Sequence, residues 1–334
     1  MGICISTASH EIHAVYFANE NVVHYQDNNN GAYGNQQVGS VYSQQGSKGL
    51  NQDSAILYHG YGVENGAFGG VFDGHGENGH RVSKLVMNKL PYLLLKLILF
   101  LPKITSPKQN VADKNFNKWK EACLSSFKVM DKDIKSLEKL DCSCSGTTAV
   151  VAIKQDDDLI IANLGDSRAV LGRKTEEGVI EAVQLTTDLK PSLPSEAERI
   201  RKCDGRVLAL KEEPHIQRVW LPHRDAPGLA MSRAFGDFML KDYGIISKPD
   251  VSYHHISPND QFIVLATDGV WDVLSNDDVV SIVGAANNAA AASEAVVEAS
   301  VDAWKQKFPS SKRDDCAVIC LFLQQQYVSP ANST

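Results

Sequence analysis

Short apolar runs rich in valine and isoleucine recur along the chain, and glycine, aspartate and other polar residues bound them. Runs of about four to eight such residues are typical of buried β-strands. In chain order they read VYSQQ, GAFGGVF, TTAVVAI, LIIANL, AVLGR, FIVLAT and CAVICLFL. The polar segment KQDDD separates TTAVVAI from LIIANL, and a connection this short predicts an antiparallel hairpin.

Longer stretches have the apolar spacing of amphipathic helices. They are NFNKWKEACLSSFKVMDKDIK from Asn115, PSEAERIRKC from Pro194, SNDDVVSIVGAANN from Ser275 and AASEAVVEASVDAWKQ from Ala291. The third begins with Ser275 as a candidate N-cap followed by acidic residues, which the helix dipole favours. Hairpins kept apart from long helices predict an α+β fold rather than repeated βαβ units.

The most apolar window is LPYLLLKLILFLP, residues 90–102, and Lys96 interrupts it. It is shorter than the ~20 residues that cross a bilayer, so we expect a buried helix or helix end. Three polar regions are expected to contribute little to a core: residues 20–46, apart from VYSQQ, a surface insertion over 103–118, and a loose tail over 324–334.

Composition limits the classes of protein to consider. With 334 residues, of which 43% are hydrophobic, the chain can form one large domain or two modest ones. A formal charge of −7 provides no basic surface for a phosphate backbone, so we expect no nucleic-acid binding. The seven cysteines include no zinc-like CxxC pair, and their odd number argues against a disulfide framework. We therefore expect a reducing, cytoplasmic compartment.

The N-terminal residues MGICIS match the acceptor pattern for myristoylation at Gly2, and Cys4 could accept a second acyl chain. Residues 1–38 are then a flexible arm with an acylation site, and the protein would associate peripherally with the plasma membrane. The alternative is an unmodified tail in which Cys4 has no role. A nuclear location also stays open.

Acidic residues recur at predicted strand ends or in the adjacent turns. They are Asp73 in FDGHG, Asp166 in LGDSR, Asp268 and Asp272 in ATDGVWD, and Asp314 in KRDDCAV. Each alone is ordinary turn chemistry. Together they predict a carboxylate cage for hard divalent cations, which prefer oxygen ligands. The glycine after Asp73 would let a backbone carbonyl reach the cation.

Several motifs carry a resemblance to a known family. They are NQD at 51–53, VFDGHG at 71–76, SGTTAV at 145–150, ANLGDSRAVL at 162–171, LAMSRAFGD at 229–237, KPDV at 248–251, ATDGVWDVLS at 266–275 and DDCAVICLF at 314–322. Their types and order resemble the metal-dependent protein phosphatase 2C family, in particular its plant branch. The resemblance covers about residues 39–323, which we expect to form one catalytic domain.

The resemblance implies a four-layer α-β-β-α sandwich, with two antiparallel sheets flanked by helices and a site for two Mg²⁺ or Mn²⁺ ions at one edge. The implied ligands are Asp73, which bridges both metals, the carbonyl of Gly74, Asp268 and Asp314, with Asp166 and Asp272 at a weaker third metal position and Asp53 in support.

The implied activity is hydrolysis of phosphoserine and phosphothreonine in proteins by a metal-activated water, without a phosphoenzyme. His75 matches the general acid that protonates the leaving alkoxide. Phosphorylated proteins are the implied substrates and kinases are candidate further partners, and we expect a monomer. The alternative interpretation is that His75 is a capped turn residue without a catalytic role.

Two positions depart from the common family pattern. Gln52 stands where many members have an acidic residue that helps to hold the second metal. Lys48 stands where many have an arginine that grips the phosphate through two hydrogen bonds. These departures keep a rival hypothesis open, a pseudophosphatase that binds phosphoproteins or kinases without turnover. Hydrolysis of small phosphate metabolites is a third, less favoured interpretation.

Residues 207–239 resemble the family's flap beside the active site, where loops often select substrates. Trp220 in this segment is interpreted as a core or loop anchor, with an exposed partner contact as the alternative. Arg233 and Asp237 are predicted to form a structural ion pair that ties the strand end to the flap.

Overall fold

Two antiparallel β-sheets form the centre of the fold. The computed structural model describes residues 22–23, 39–101 and 111–324, with the backbone alone at 22–23 and 111–114. The helices are α1 (Gly79–Phe100), α2 (Val111–Lys135), α3 (Pro194–Lys202), α4 (Asp268–Trp271), α5 (Asn276–Ala285) and α6 (Ala292–Lys307). The strands are β1 (Val22–Val23), β2 (Gly39–Gln44), β3 (Asp53–His59), β4 (Ala67–His75), β5 (Gly146–Thr147), β6 (Ala149–Gln155), β7 (Asp158–Leu164), β8 (Arg168–Lys174), β9 (Ile180–Gln184), β10 (Arg206–Ala209), β11 (Gln217–Leu221), β12 (Arg224–Leu229), β13 (Phe235–Gly236), β14 (Asp250–His255), β15 (Asp260–Ala266) and β16 (Cys316–Phe322).

The first sheet has the strand order β1-β2-β16-β15-β8-β9. The second has the order β13-β5-β4-β6-β7-β14, and β3 also pairs with β4. The predicted hairpin is present, because β6 and β7 pair in antiparallel register from Ala149 opposite Leu164 to Gln155 opposite Asp158. The chain crosses from the second sheet to the first in the short turn between β7 and β8.

The first five residues of strand β6, AVVAI, are all apolar because both faces of the strand are buried. Successive side chains point to opposite faces of a strand. Val150 and Ala152 pack in the core between the two sheets, whereas Val151 and Ile153 pack in the core beneath α1 and α2. A further core joins the first sheet to α5 and α6. The layers are therefore helix, sheet, sheet and helix, which confirms the four-layer α+β sandwich.

Helix α1 contains the apolar window 90–102 up to its end at Phe100. Leu90 and Leu94 are fully buried, but Leu99 and Phe100 are each 76% exposed. The expected helix end is confirmed, and one side of the helix is buried in the core while the other faces outward. In the described ranges, no helix combines the length and the apolar character that spanning a membrane requires.

Helix α2 begins at Val111, four residues before the predicted Asn115. Residues 111–118 of the predicted surface insertion over 103–118 are helical, and the side chains of 115–118 are exposed or half-buried, as expected for a surface segment. Trp119, Cys123, Phe127 and Met130 form its buried stripe at helical spacing. The rest of the insertion lies outside the described residues.

The N-terminal arm falls almost entirely outside the described residues, and so do Gly2 and Cys4. Val22 and Val23 are the exception: they pair with Tyr42 and Val41 and extend the first sheet at its edge. Of the predicted C-terminal tail over 324–334, only Gln324 is described.

The predicted N-cap of α5 is confirmed. The hydroxyl of Ser275 accepts a hydrogen bond of 3.1 Å from the backbone N–H of Asp278, whose carboxylate accepts one of 3.0 Å from Ser275 N–H. This reciprocal pair satisfies two donors that a helix start leaves open.

Strands β10 to β12 make up the first part of the predicted flap, residues 207–239, and helix α3 packs with them around a small apolar core. Trp220 is 9% exposed and donates a hydrogen bond of 3.0 Å to the carbonyl of Leu208. Its ring lies on Gly228, where a Cβ atom would come within 2.5 Å of it. The structure thus favours the interpretation of Trp220 as an anchor.

Glu196 of α3 links this helix to the flap segment that precedes β13. Its carboxylate is 2% exposed and accepts hydrogen bonds of 2.7 and 2.9 Å from Arg233 and of 2.7 Å from Ser232. Arg199 lies 2.8 Å from the same carboxylate. The predicted ion pair between Arg233 and Asp237 is therefore wrong, because Arg233 is taken by Glu196.

Candidate metal and phosphate site

The predicted acidic residues come from both sheets at one edge of the sandwich. Asp53 of β3 and Asp73 of β4 lie opposite each other in the second sheet. Asp268 starts α4 two positions after the last residue of β15, and Asp314 lies two positions before the first residue of β16, so both flank strands of the first sheet. Each carboxylate sits where a strand begins or ends, which places polar groups at the rim of an apolar sandwich.

Asp53 is held by a residue that the sequence did not suggest. Thr267, at the end of β15, donates a hydrogen bond of 2.7 Å to Asp53 and accepts one of 3.0 Å from Ala317 N–H. This threonine therefore connects the two sheets. Its apolar surroundings in FIVLATDG gave no sign of the role, because the partner is remote in sequence.

Asp315 is a second residue that sequence reasoning missed. Its carboxylate accepts hydrogen bonds of 2.6 Å from Gly46 N–H and 2.8 Å from Gln52 N–H. Asp315 therefore ties together the segments that carry Gly46 and Gln52, and its charge also helps to raise the pKa of Asp53. The available signal was the doublet of acidic residues in KRDDCAV, which offers two adjacent carboxylates before an apolar run.

The acidic residues raise one another's pKa. Burial, followed by the charges of Asp268, Asp53 and Asp314, raises the pKa of Asp73 well above its usual range. Burial and the charges of neighbouring aspartates likewise raise the pKa of Asp268. The pKa of Asp53 is raised by burial despite the opposing hydrogen bond from Thr267. Carboxylates that repel one another in this way are stabilised by a nearby cation.

Asp166 lies in the turn where the chain crosses between the sheets. It is 3% exposed, and burial raises its pKa to about 6 although Lys190 opposes the shift. Lys190 Nζ lies 3.9 Å from Asp166 Oδ2 and 4.0 Å from Asp272 Oδ1. The two predicted ligands of a third metal thus share one lysine.

His75, the predicted general acid, is held by Asp237. Its Nε2 lies 2.7 Å from Asp237 Oδ2, and Asp237 is 1% exposed. Burial lowers the pKa of His75, but the carboxylate of Asp237 outweighs it, so the net pKa is raised. A side chain at Gly146 would overlap this pair. Asp237 therefore pairs with His75 and not with Arg233.

Lys48 forms an ion pair with Asp314, and its side chain is 52% exposed. Burial lowers the pKa of Lys48, but Asp314 outweighs this effect and the net pKa is raised. The predicted phosphate-binding lysine therefore lies against a predicted metal ligand. A flexible ammonium at this position can turn from the carboxylate to an incoming phosphate.

Gln52 and Gly74 pack closely beside Asp73. Gln52 Nε2 donates a hydrogen bond of 3.0 Å to the carbonyl of Gly76, and Gln52 Oε1 is buried without a hydrogen-bond partner among the described residues. A Cβ atom at Gly74 would lie 2.5 Å from the carbonyl oxygen of Gly79, so only glycine fits there. Gln52 Oε1 lies against Gly79, where a Cβ atom would come within 2.1 Å of it.

The carboxylate oxygens at this edge of the sandwich are suitable ligands for a hard divalent cation. In the described part of the chain, no three His, Cys, Asp or Glu side chains are already arranged as a metal-binding group. The carboxylates nevertheless act on one another electrostatically, and Asp166 Oδ1 is buried without a hydrogen-bond partner. Oxygen ligands of this kind suit Mg²⁺ and Mn²⁺.

Solved structures with the same architecture define the class of protein. The serine-threonine phosphatase 2C from Toxoplasma gondii matches with a TM-score of 0.73 and 25% identity, over 85% of this chain and 94% of that one. A sex-determining protein from C. elegans, at 23% identity and a TM-score of 0.65, shares the fold over 85% of this chain and 64% of that one. The fold is thus that of a phosphatase 2C sandwich.

Sequence comparison gives the family. The family described as "Protein phosphatase 2C" matches residues 38–307. "Probable protein phosphatase 2C 72" of Arabidopsis thaliana is 57% identical over 86% of both chains. "Probable protein phosphatase 2C 61" of the same plant is 50% identical over 98% of both. The chain belongs to the protein phosphatase 2C family, as the motifs indicated.

Proposed function

We propose that this chain is a metal-dependent phosphatase that hydrolyses phosphoserine and phosphothreonine in proteins and so opposes kinases. The observation that carries the proposal is the group of mutually repelling carboxylates, contributed by both sheets, at one edge of a phosphatase 2C fold. Phosphorylated proteins are the proposed substrates. We also propose that kinases are further partners and that the protein is a monomer.

Two Mg²⁺ or Mn²⁺ ions are the proposed cofactors, with Asp73, Gly74 O, Asp268 and Asp314 as their ligands and Asp53 in support. When bound, such ions neutralise phosphate charge and lower the pKa of a water molecule. The protein orients these ligands from both sheets, and Thr267 fixes the carboxylate of Asp53. Neighbours that orient a ligand in this way are needed for full metal affinity.

His75 is the proposed general acid for the leaving serine or threonine oxygen. Its raised pKa favours the protonated ring, and Asp237 holds Nε2. Nδ1 is then the nitrogen that remains to donate the proton. Because Nδ1 is shielded from solvent, the ring or its cover must shift when substrate binds. Lys48, released from Asp314, would bind the phosphate.

Release of phosphate from a phosphothreonine peptide tests the function. The purified protein is expected to release phosphate from the peptide in the presence of Mn²⁺ or Mg²⁺ and to lose this activity in excess chelator. Free phosphate is measured over time at several cation concentrations. No turnover of phosphopeptides under any of these conditions would refute the proposed activity.

Gln52→Glu separates the phosphatase from the rival pseudophosphatase. If the native chain is an enzyme, an added carboxylate at position 52, next to Asp53 in the chain, is expected to tighten cation binding and leave turnover present in both forms. An inactive native chain whose activity appears only in Gln52→Glu would support the binding protein instead. The family comparisons give that rival no support of their own.

We further propose that acylation at Gly2, with Cys4 as a second site, places part of the protein at the plasma membrane. One myristoyl chain binds membranes only marginally, so both sites are needed for stable attachment. Gly2→Ala is expected to move the protein from the membrane to the soluble fraction, as followed by fractionation and immunoblotting. An unchanged membrane share would rule out this anchor.

A further inference from the structure

Lys190 is fixed beside the turn that carries Asp166. Leu189 N–H donates a hydrogen bond of 2.9 Å to the carbonyl of Gly165, and Lys190 N–H donates one of 2.9 Å to the carbonyl of Asp188. Asp188 in turn accepts hydrogen bonds of 2.9 and 2.7 Å from Arg168. The backbone of Lys190 is thus anchored on both sides, and only its side chain has freedom to move.

The Lys190 side chain reaches between two carboxylates. Its Nζ lies 3.9 Å from Asp166 Oδ2 and 4.0 Å from Asp272 Oδ1, and it is the cation paired with them within the described ranges. Asp166 is 97% buried in its side chain, and its Oδ1 has no hydrogen-bond partner there. A buried carboxylate needs a counter-charge, and Lys190 provides it.

We propose that Lys190 is a built-in cation that takes the place of a third divalent metal between Asp166 and Asp272. This inference rests on the proposed metal-dependent function. A divalent ion entering this position must displace the ammonium, because both positive charges would otherwise lie within a few ångströms of each other. The side chain is 38% exposed, so it can swing into solvent when a sufficiently high cation concentration competes.

A plain surface ion pair is the competing interpretation of these distances. Exposed ion pairs contribute little, and removing such a lysine would leave metal binding unchanged. The buried and unpartnered oxygen of Asp166 argues against that interpretation. The two interpretations make opposite predictions for the affinity of the weakest metal position.

Mn²⁺ binding to the purified full-length chain distinguishes them. Free Mn²⁺ is measured by its solution electron paramagnetic resonance signal during titration. Lys190→Gln is expected to bind one more Mn²⁺ than the native chain, or to bind the weakest ion about tenfold more tightly, within the usual range of coupling between sites. Lys190→Arg keeps the charge and is expected to behave as the native chain does.

Two controls test whether the gained ion binds at this place. The double variant Lys190→Gln with Asp166→Asn is expected to lose the gain, because it removes a proposed ligand. Lys202→Gln removes another lysine, one paired with exposed Glu198 on α3, and is expected to change nothing. Lys190→Met keeps an apolar stem without the charge and serves if Lys190→Gln fails to fold.

The outcomes are separable from those of the proposed function. If the native chain binds two Mn²⁺ ions and both Lys190→Gln and Lys190→Met bind Mn²⁺ as the native chain does, the role of Lys190 is overturned while the proposed function stands. A gain that persists in the double variant also overturns it, because the ion would then bind elsewhere. A native chain that binds no Mn²⁺ refutes the metal-dependent function and the role of Lys190 together.

Discussion

Asp73→Asn is expected to remove metal-dependent phosphate release and, in chelator, to raise the melting temperature of the protein. Loss of this proposed bridging ligand should lower kcat/KM by at least about a hundredfold, the effect of losing one group that stabilises transition-state charge. Without cations, however, the Asp73 carboxylate is partly buried and repelled by Asp268, Asp53 and Asp314. A neutral amide of the same shape relieves that repulsion.

The gain in stability should be about 1 kcal/mol, or a rise of roughly 2–4 °C in melting temperature for a domain of this size. Differential scanning calorimetry in chelator measures it, and the phosphopeptide assay measures the loss of activity. A melting temperature that falls in chelator, together with retained turnover, would contradict the proposed role of Asp73.

Asp260 offers a matched control, since it is a buried aspartate at the start of β15. Its carboxylate is fully buried and bonded to Arg173 at 2.8 Å, His254 at 2.9 Å and Ser257 N–H at 2.8 Å. Asp260→Asn should therefore lower the melting temperature. Activity per folded molecule should stay unchanged, because Asp260 supports structure and not the site.

Glu196→Ala is expected to destabilise the protein more than any other change considered. Removing one partner from a buried ion pair typically costs about 3–5 kcal/mol, because the other charge is left uncompensated. Here Arg233 and Arg199 would both lose their carboxylate, and Ser232 would lose an acceptor. Urea unfolding followed by circular dichroism measures the loss.

The same residue should impart a dependence of stability on pH. Burial alone would raise the pKa of Glu196, but hydrogen bonds from Arg233, Arg199 and Ser232 outweigh it and lower the pKa from 4.5 to about 2. A depressed pKa means that this stabilisation is complete above pH 4.5 and is lost as the pH falls towards 2. Glu196→Gln should be less stable at neutral pH and lose part of this acid sensitivity.

Glu198→Gln is the comparison for both Glu196 variants, since Glu198 lies on the same helix with its side chain 66% exposed in a pair with Lys202. It should change the free energy of unfolding by less than about 1 kcal/mol. A Glu196→Ala protein as stable as Glu198→Gln would show that the flap does not depend on the Glu196 carboxylate.

Local patterns were sufficient to predict most of the central sheets. Strands β4, β6, β7, β15 and β16 are buried on one or both faces, so their apolar runs are long and clear. The flap strands β10 to β12 were not predicted as strands, because they carry many polar side chains and cover only a small core. The start of α2 was also missed, since a polar first turn carries little apolar periodicity.

At the site, residue type was easier to predict than pairing. The aspartates stand out because each follows or precedes an apolar strand. Asp237 was paired with Arg233 because the two are near in sequence. Their actual partners are remote in sequence and come close only after folding: His75 pairs with Asp237, and Glu196 pairs with Arg233. Lys190 and Thr267 gave no signal, since a single lysine or threonine is ordinary at any surface or strand end.

The contribution of carboxylates from both sheets links cation binding to folding of the whole domain. A ligand that binds only the native state adds RT ln(1 + [L]/Kd) to the free energy of unfolding. Asp53 and Asp73 belong to one sheet, while Asp268 and Asp314 flank strands of the other, so a chain with only one sheet formed has half of these proposed cation-binding carboxylates. The concentration of free magnesium or manganese would then govern how long the folded molecule survives as well as how fast it works.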